Sequence, residues 1–318
     1  MAESLLVDGG VLVAGILLLY VGAELLVSAA SALALSHGVR AATVGVTVVA
    51  FATTAPELFV STVGGITADD SIALGNIVGS NIANIGLVLG TAAVLRPMDI
   101  DKSLLYQHGP FMLVAAVALV ALSLDGTLAT FDGVVLLGLL AAFTAYLYRE
   151  SRKDGDVKLP EDVEMDEETA DATLRDYAVL VGAVLLLLAG SRSLIVGGRG
   201  VLSAWGFSDL FIGLTIIAFG TSVPELATSV VSALRDEADF SIGNVVGSNI
   251  YNVLAVIGFV AVLVPITVQP DTIGFELPVM LGFTFVALGL MAVGDTIGRV
   301  EGAGLIGGYV GFLYFLLP

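Results

Sequence analysis

Ten apolar segments fill most of this 318-residue chain. A transmembrane helix needs about 20 apolar residues, and these segments are about that long. The chain is 57% hydrophobic and 13% charged, whereas a soluble domain is typically about a quarter charged. The sequence therefore predicts an all-α integral membrane protein with ten transmembrane helices. The predicted spans are about 9–34, 42–66, 71–95, 104–124, 131–148, 177–204, 210–234, 240–264, 275–293 and 300–317.

One long polar segment, residues 149–176, divides the predicted spans into five and five. It carries ten acids between Asp154 and Asp176. We interpret it as a solvated acidic linker between two five-helix halves, residues 1–148 and 177–318. A regulatory Ca²⁺ site in the linker is the alternative.

The basic residues predict the orientation. If the N-terminus lies outside, ten Lys and Arg residues fall in inner loops and only Arg192 and Arg199 fall outside, which matches the excess of positive charge usual in cytoplasmic loops. Both termini are then outside and the linker is inside. We interpret the net charge of −18 as adaptation to a salty cytoplasm, where charges are screened; a Ca²⁺-attracting surface is the alternative. We therefore expect a multi-pass protein in the plasma membrane of a salt-adapted prokaryote.

The same residues recur at a constant offset of 168. The segments GNIVGSNIANIGLVLG (75–90) and GNVVGSNIYNVLAVIG (243–258) share ten of sixteen positions, and ATTAPEL (52–58) matches GTSVPEL (220–226) in the same register. Because each half contains an odd number of spans, the second copy must be inverted in the membrane. The sequence thus predicts two inverted five-helix repeats, an arrangement typical of secondary transporters, whose binding site lies near the midplane.

Three acids, Glu24, Glu57 and Glu225, lie well inside the predicted spans. A charged residue at the bilayer centre costs about 3 kcal/mol on insertion scales and usually has a function. Glu57 and Glu225 are equivalent in the two repeats, and only Arg192 is a candidate for an intramembrane cationic partner. We expect the two carboxylates to bind external cations. Protonated or hydrogen-bonded packing residues are the alternative.

Each of the two equivalent glutamates follows a threonine and a proline at the same spacing. Thr53 and Thr221 lie four residues before the glutamates, on the same helix face. Pro56 and Pro224 lack an amide hydrogen and clash with the carbonyl four residues back, so we expect loosened carbonyls there. Such carbonyls at membrane depth are tolerated only where they are buried or line a cavity.

The repeated GSNI segments supply further oxygen atoms. Ser80 and Asn84 are four residues apart, as are Ser248 and Asn252, so each pair lies on one helix face. We expect these faces to bind cations; packing alone is the alternative. The set offers oxygen and no sulfur, which suits hard cations, since Ca²⁺ takes about six to eight oxygens. Hydroxyls and carbonyls around the same carboxylates can hold Na⁺.

The same segments carry packing signals. Gly75 with Gly79, and Gly243 with Gly247, have the GxxxG spacing that lets helices approach closely. Four further asparagines lie on other faces of these helices, where we expect hydrogen bonds between helices: Asn76, Asn81, Asn244 and Asn249.

At these residues the sequence resembles the cation/calcium exchanger superfamily, most closely the sodium/calcium exchanger branch in its prokaryotic form. The motif T-[ST]-x-P-E, followed by G-S-N-I-x-N, occurs in both α-repeats, at about 44–90 and 212–258. The resemblance implies that the first and sixth spans, 9–34 and 177–204, are long tilted helices that slide across the core. It also implies a shared ion site formed by the carboxylates of Glu57 and Glu225, the hydroxyls of Thr53, Thr54, Thr221, Ser222, Ser80 and Ser248, the flanking Asn84 and Asn252, and the main-chain oxygens of Ala50 and Ala218.

Two positions depart from the family pattern. Ala52-Thr53-Thr54 stands where the first repeat usually has G-T-S, and we expect the extra methyl groups to crowd one sodium site. Asn252 stands where many prokaryotic and potassium-dependent members have Asp, which lowers the negative charge and argues against potassium co-transport. Glu24 corresponds to Arg192 at the offset of 168. We expect each to face a water-filled vestibule or interfacial polar groups, with an ion pair as the alternative.

These features favour a secondary antiporter that exchanges Na⁺ for Ca²⁺ by alternating access and extrudes Ca²⁺. The alternative within the superfamily is a proton/calcium antiporter, and the alternative from another class is an ion channel. We expect no enzymatic activity, no cofactor and no nucleic-acid partner. The expected partners are the two transported ions and the lipid bilayer, with a functional monomer.

Overall fold

The computed structural model describes residues 2–36, 41–66, 70–153, 173–205 and 218–316, and most of them are helical. The α-helices are α1 (Ala2–Ser36), α2 (Ala41–Val44), α3 (Ala50–Thr53), α4 (Ala55–Ile66), α5 (Asp70–Ala83), α6 (Gly90–Leu95), α7 (Lys102–Leu122), α8 (Thr130–Lys153), α9 (Leu174–Ala204), α10 (Ala218–Thr221), α11 (Val223–Leu234), α12 (Ala238–Tyr251), α13 (Gly258–Leu263), α14 (Leu277–Val293) and α15 (Arg299–Leu316). Stretches with wider, π-helical turns are Gly45–Val49, Asn84–Leu89, Asn252–Ile257 and Thr272–Glu276.

The helices confirm a largely helical membrane protein. Among the described residues, seven helices are long and apolar enough to cross a membrane, and they coincide with the first, third, fourth, fifth, sixth, eighth and ninth predicted spans. A bent pair of helices, Gly45–Thr53 and Ala55–Val63, meets at 43° and forms an eighth candidate at the second predicted span.

The other two predicted spans look different. In the seventh, residues 210–217 lie outside the described residues, and the remainder is divided between α10 and the 12-residue α11. The tenth coincides with α15, which has 18 residues and carries Arg299 and Glu301 in its first turn. The predicted acidic linker also falls largely on undescribed residues, 154–172, between the end of α8 and the start of α9.

Helices α1 and α9, the first and sixth predicted spans, pack antiparallel against each other. A side chain added at Gly15 would place its Cβ 2.6 Å from the main-chain nitrogen of Leu194, and one added at Gly190 would lie 2.8 Å from that of Leu19. Backbone atoms cannot yield as side chains can, so only glycine allows this approach. The predicted sliding of these helices stays a prediction.

Four two-residue strands are an addition to the predicted all-helical fold. β1 (Met98–Asp99) pairs antiparallel with β4 (Thr296–Ile297), and β2 (Thr127–Leu128) pairs antiparallel with β3 (Ile266–Thr267). All four lie in loops between helices, and each pair joins one loop from residues 1–148 to one loop from residues 177–318. The two parts of the chain are thus held together by main-chain hydrogen bonds at two places.

The core of the molecule is formed by the two segments that carry the repeated GSNI sequence. The buried share of the most apolar part is 78% in Ala73–Leu95 and 83% in Ala238–Leu263. In α1 and α9 the buried share is only 33% and 22%. A membrane helix buried on nearly all sides faces protein rather than lipid. The long α1 and α9 therefore lie outside the central bundle, and the repeated segments lie within it.

The close approach predicted for the repeated glycines is confirmed at Gly247. A Cβ at Gly247 would meet the Cβ of Ala50 at 2.6 Å, so α12 packs tightly on the helix before Thr53. At Gly75 and Gly79 a Cβ would meet no atom of the described residues within 4 Å. Close approach at these two glycines stays a prediction, because residues 213–217, the equivalents of Gly45–Val49, lie outside the described residues.

Candidate cation site

Two broken helices bring the predicted glutamates into the core. α3 ends at Thr53, α4 begins at Ala55, and Glu57 lies in the first turn of α4. The same break recurs at Ser222, which caps α11 and places Glu225 in the first turn of that helix. A carboxylate in the first turn is stabilised by the positive end of the helix dipole.

Each proline lies just after a break in its helix. Pro56 and Pro224 lie in the first turns of α4 and α11, where an amide hydrogen would have no helical partner anyway. The carbonyl of Ala50 accepts the Thr54 amide at 3.0 Å and the Thr54 hydroxyl at 2.7 Å, so an ion that binds this carbonyl would replace the bond from the hydroxyl. The expected bend is confirmed at Pro56: Gly45–Thr53 and Ala55–Val63 meet at 43°, and the chain breaks two residues before the proline. The equivalent break at Ser222 lies two residues before Pro224.

Both glutamates are 0% exposed. Ser80 donates a long hydrogen bond of 3.4 Å to Oε1 of Glu57, whereas Oε2 of Glu57 and both oxygens of Glu225 have no donor among the described residues. A buried carboxylate without partners is costly unless a cation or proton joins it. Three of the four carboxylate oxygens are thus available to a ligand.

The six predicted hydroxyl groups lie in the same buried core. Each belongs to a side chain no more than 4% exposed: Thr53, Thr54, Ser80, Thr221, Ser222 and Ser248. Thr53 and Ser248 approach to 3.5 Å between hydroxyl oxygens, which brings α3 and α12 together. The hydroxyl of Ser222 has no partner among the described residues. The structure thus collects hydroxyls from both halves of the chain.

The predicted asparagines begin the two equivalent π-helical stretches. Asn84 is 0% exposed, and neither polar atom of its amide has a partner among the described residues. Asn252 is also fully buried; its Nδ2 donates to Oδ1 of Asn81 at 2.9 Å, and its own Oδ1 is unpaired. Wider π turns inside α-helices are frequent at functional sites.

Ala218, the last of the predicted residues, begins α10, directly after undescribed residues 206–217. Its position in the helix is described, but no contact of its carbonyl is seen among the described residues.

Two asparagines outside the predicted site connect the halves. Thr53 donates to Oδ1 of Asn244 at 3.1 Å, and Thr221 donates to Oδ1 of Asn76 at 3.4 Å. The two bonds are equivalent at the offset of 168. The expected hydrogen bonds between helices are confirmed at Asn76 and Asn244, and also at Asn81, which donates to the carbonyl of Asn249 at 3.3 Å. The expectation is wrong for the amide of Asn249, whose Nδ2 donates to Val245 of its own helix. The role of Asn76 and Asn244 beside the predicted site residues is an addition to the predicted site.

Each of these asparagines is held in place by a serine of its own half. Nδ2 of Asn76 donates to Ser61, and Nδ2 of Asn244 donates to Ser229, both at 3.0 Å. These bonds fix the amide orientation and direct its oxygen to the threonine of the other half. The constant offset was the signal that could have identified them.

Glu24 and Arg192 do not pair in the structure. Oε2 of Glu24 lies 3.2 Å from Nη1 of Arg235, which also reaches the hydroxyl of Ser28 at 2.7 Å. The side chain of Arg192 is exposed. Glu24 therefore contacts polar groups at one end of the bundle, and it does not belong to the buried cluster.

Broken helices, paired buried carboxylates and neutral oxygen groups at membrane depth define an ion-transporting membrane protein. A family model described as "Sodium/calcium exchanger protein" matches residues 8–149 and again residues 176–317. Together the matches cover most of the chain, so the chain belongs to the sodium/calcium exchanger family. It is thereby an antiporter of that family, a transporter class with Na⁺ and Ca²⁺ as its ions.

Individual relatives are similar to this protein over nearly the full chain. The chain is 34% identical over 307 residues to the "Putative antiporter CaxA" of Alkalimonas amylolytica, which covers 95% of the chain and 96% of that protein. It is 33% identical over 322 residues to the "Inner membrane protein YrbG" of Escherichia coli, covering 99% of each. A solved structure of the sodium-calcium exchanger NCX_Mj, soaked with Na⁺ and Ca²⁺, matches with a TM-score of 0.82 at 28% identity, over 98% of this chain and 99% of that one.

Proposed function

We propose that the protein extrudes Ca²⁺ in exchange for inward Na⁺ through one shared site at the centre of the bundle. The observation that carries this proposal is the pair of equivalent, fully buried glutamates, three of whose four oxygens have no protein donor among the described residues. Two carboxylates can neutralise one Ca²⁺, and neutral oxygens nearby can complete Na⁺ sites. Because both ions need the same carboxylates, they compete, and competition couples their movements.

The proposed ligands are the twelve residues that the repeated motifs indicate. Glu57 and Glu225 bind both ions. Hydroxyls of three threonines and three serines supply neutral oxygens, as do main-chain oxygens in the broken helices: the set is Thr53, Thr54, Ser80, Thr221, Ser222, Ser248, Ala50 and Ala218, with Asn84 and Asn252 flanking the centre.

We further propose ten spans in two inverted five-helix halves, residues 1–148 and 177–318. At the offset of 168, β1 corresponds to β3, yet these two strands do not pair with each other. β1 pairs with β4 and β2 pairs with β3, so each pair joins a third interhelical loop to a fourth. Inversion accounts for this exchange, because it brings the third interhelical loop of one half beside the fourth of the other. The family match also repeats, with starts at residues 8 and 176, a difference of 168.

The proposed setting is the plasma membrane of a salt-adapted prokaryote, with both termini outside and the acidic linker, 149–176, inside. The excess of basic residues on the proposed inner side supports this orientation. A single chain contains both halves of the proposed site, so a monomer suffices for transport.

Proton coupling is the second candidate. The unpaired carboxylate oxygens that suit cations suit protons as well, and the names of CaxA and YrbG specify neither driving ion. Alternating access applies to both candidates, so the driving ion distinguishes them.

Calcium uptake into proteoliposomes under separate Na⁺, H⁺ and K⁺ gradients tests the proposal. We expect uptake with the Na⁺ gradient alone, and its loss in Glu57→Gln and Glu225→Gln. Glu276→Gln is the matched control, because Glu276 lies in the π-helical stretch before α14 and not among the buried carboxylates. Uptake driven by H⁺ without Na⁺ supports the second candidate and rejects the first.

A further inference from the structure

Three buried hydroxyl groups do not belong to the twelve proposed ion ligands, which are called the central cluster below. Thr228 and Ser232 on α11 and Ser241 on α12 are each 0% exposed. None of the three hydroxyl oxygens has a hydrogen-bond partner among the described residues. Buried polar groups are nearly always hydrogen-bonded, so three unpaired ones in adjacent helices need an explanation.

The three hydroxyls extend from the central cluster toward one end of the bundle. On α11, Glu225, Thr228 and Ser232 follow at spacings of three and four, so they lie on one helix face. From Glu225 to Ser232 the helix rises by about 10 Å. On α12, Ser241 and Ser248 are seven residues apart and share a face in the same way.

The two polar faces meet each other. Asn244, between Ser241 and Ser248, donates to the carbonyl of Glu225 at 3.3 Å and to Ser229 at 3.0 Å. At the end of the two helices, the amide of Glu237 donates to the carbonyl of Ser232 at 2.9 Å. The carbonyl of Glu237 accepts the amide of Ser241 at 3.3 Å, so Ser232 and Ser241 flank the same turn.

An acidic cavity of about 760 Å³ opens at that turn. Ala233 and Phe240, which line it, are buried, and they are the sequence neighbours of Ser232 and Ser241. Its remaining lining includes one base, Arg96, which pairs with Asp236, and five acids: Asp99, Asp101, Asp236, Glu237 and Asp239. Along the two helices, the three hydroxyls therefore lie between the residues that line the cavity and those of the proposed ion site.

The duplication does not explain these hydroxyls. At the offset of 168 the equivalents of Thr228, Ser232 and Ser241 are Val60, Gly64 and Ala73, none of which carries a polar side chain. Residues that form the central cluster recur in both halves, whereas this polar lining belongs to one half and one end. Its function is thus expected to be specific to that end.

We propose that Thr228, Ser232 and Ser241 line the passage through which Na⁺ and Ca²⁺ move between the acidic cavity and the central site. This inference rests on the proposed function. Hydroxyl oxygens replace part of the water around a moving cation, and neutral ligands hold it weakly enough to let it leave. The acids of the cavity raise the local cation concentration at the mouth of the passage.

The test compares the two faces of the membrane. Thr228→Val, Ser232→Ala and Ser241→Ala, singly and together, are expressed in cells, from which everted and right-side-out vesicles are prepared. We expect the triple variant to raise the KM for Ca²⁺ on the cavity face by roughly two- to tenfold, the scale of lost neutral hydrogen-bonding contacts. The KM on the opposite face and equilibrium Ca²⁺ binding to purified protein should stay unchanged.

Two controls keep the test decisive. Ser123→Ala removes a buried, unpaired hydroxyl that lies at the end of α7 and outside the cavity lining, and it should leave both KM values unchanged. Thr228→Ser keeps the hydroxyl and should retain the wild-type KM even if Thr228→Val fails to fold. If the wild type exchanges the ions and the triple variant has the same KM for Ca²⁺ on the cavity face, the proposed passage is rejected and the proposed function is retained. Absence of wild-type exchange overturns both.

Discussion

Thr53 donates a hydrogen bond of 3.1 Å to Asn244, and the two residues come from opposite halves of the chain. The equivalent bond joins Thr221 to Asn76. A threonine hydroxyl that donates to an amide keeps its lone pairs for another partner. The two asparagines therefore orient the threonine oxygens within the proposed ion site, and they couple the geometry of one half to that of the other.

Asn76→Ala and Asn244→Ala should weaken cation binding without abolishing it. Each removes one orienting bond, and a neutral hydrogen bond contributes about 1 kcal/mol, so we expect a decrease in Ca²⁺ affinity of roughly fivefold. Calorimetric Ca²⁺ titration of the purified variants measures the effect. Asn249→Ala is a control, because Nδ2 of Asn249 bonds to Val245 of its own helix. Equal affinity losses in all three variants would contradict an orienting role.

Asn252→Asp should raise the affinity for Ca²⁺. Asn252 is fully buried and its Oδ1 has no partner among the described residues, so an acid keeps this oxygen and adds a negative charge to the proposed site, at the cost of the bond from Nδ2 to Asn81. Asn84→Asp is the matched variant at the equivalent position of the first repeat. Ca²⁺ titrations at fixed Na⁺ concentration measure both, and lower affinity in Asn252→Asp would place this side chain outside the cation site.

The close packing of α1 on α9 predicts that substituting two glycines of α9 has markedly different effects on stability. Gly190→Ala places its Cβ 2.8 Å from the backbone of Leu19, whereas a Cβ at Gly182 meets no described atom within 4 Å. Overpacking typically costs about 1–3 kcal/mol. Thermal unfolding in detergent should therefore show a lower Tm for Gly190→Ala and a wild-type Tm for Gly182→Ala. Similar Tm values for both variants would refute the close approach.

The ion pair between Glu24 and Arg235 should contribute little to stability. Its atoms are 3.2 Å apart, but the side chains retain 37% and 33% exposure, and exposed pairs typically contribute at most about 1 kcal/mol. A double-mutant cycle with Glu24→Gln and Arg235→Gln, followed by thermal unfolding, measures the coupling. A coupling energy well above that limit would show that this contact is a structural support.

Hydropathy was sufficient to locate most of the spans, because the bilayer sets their length. The offset of 168 was sufficient to identify Glu57 and Glu225 as equivalent, since duplicated chains retain register. In contrast, the position of the break, at Thr54, depends on where the preceding helix ends. The local sequence around a proline is the same whether the proline lies inside a bent helix or in the first turn of a new one. The partner of Glu24 depends on how α1 crosses the turn before α12, which no local pattern specifies.

The asparagines illustrate the same limit. The sequence indicates that Asn76 and Asn244 face other helices, but the choice of Thr221 and Thr53 as their partners follows from the way the halves cross. The short strands, too, form only when distant loops meet, and two residues in a strand carry too little periodicity to predict.

Competition between Na⁺ and Ca²⁺ for one site tests the central claim most directly. Ca²⁺ binding to the purified protein is titrated at several Na⁺ concentrations, with wild type, Glu57→Gln and Glu225→Gln. A shared site predicts that Na⁺ raises the apparent Kd for Ca²⁺ without changing the number of sites, and that each substitution abolishes high-affinity binding. Ca²⁺ binding that ignores Na⁺, or that survives loss of either carboxylate, would contradict it.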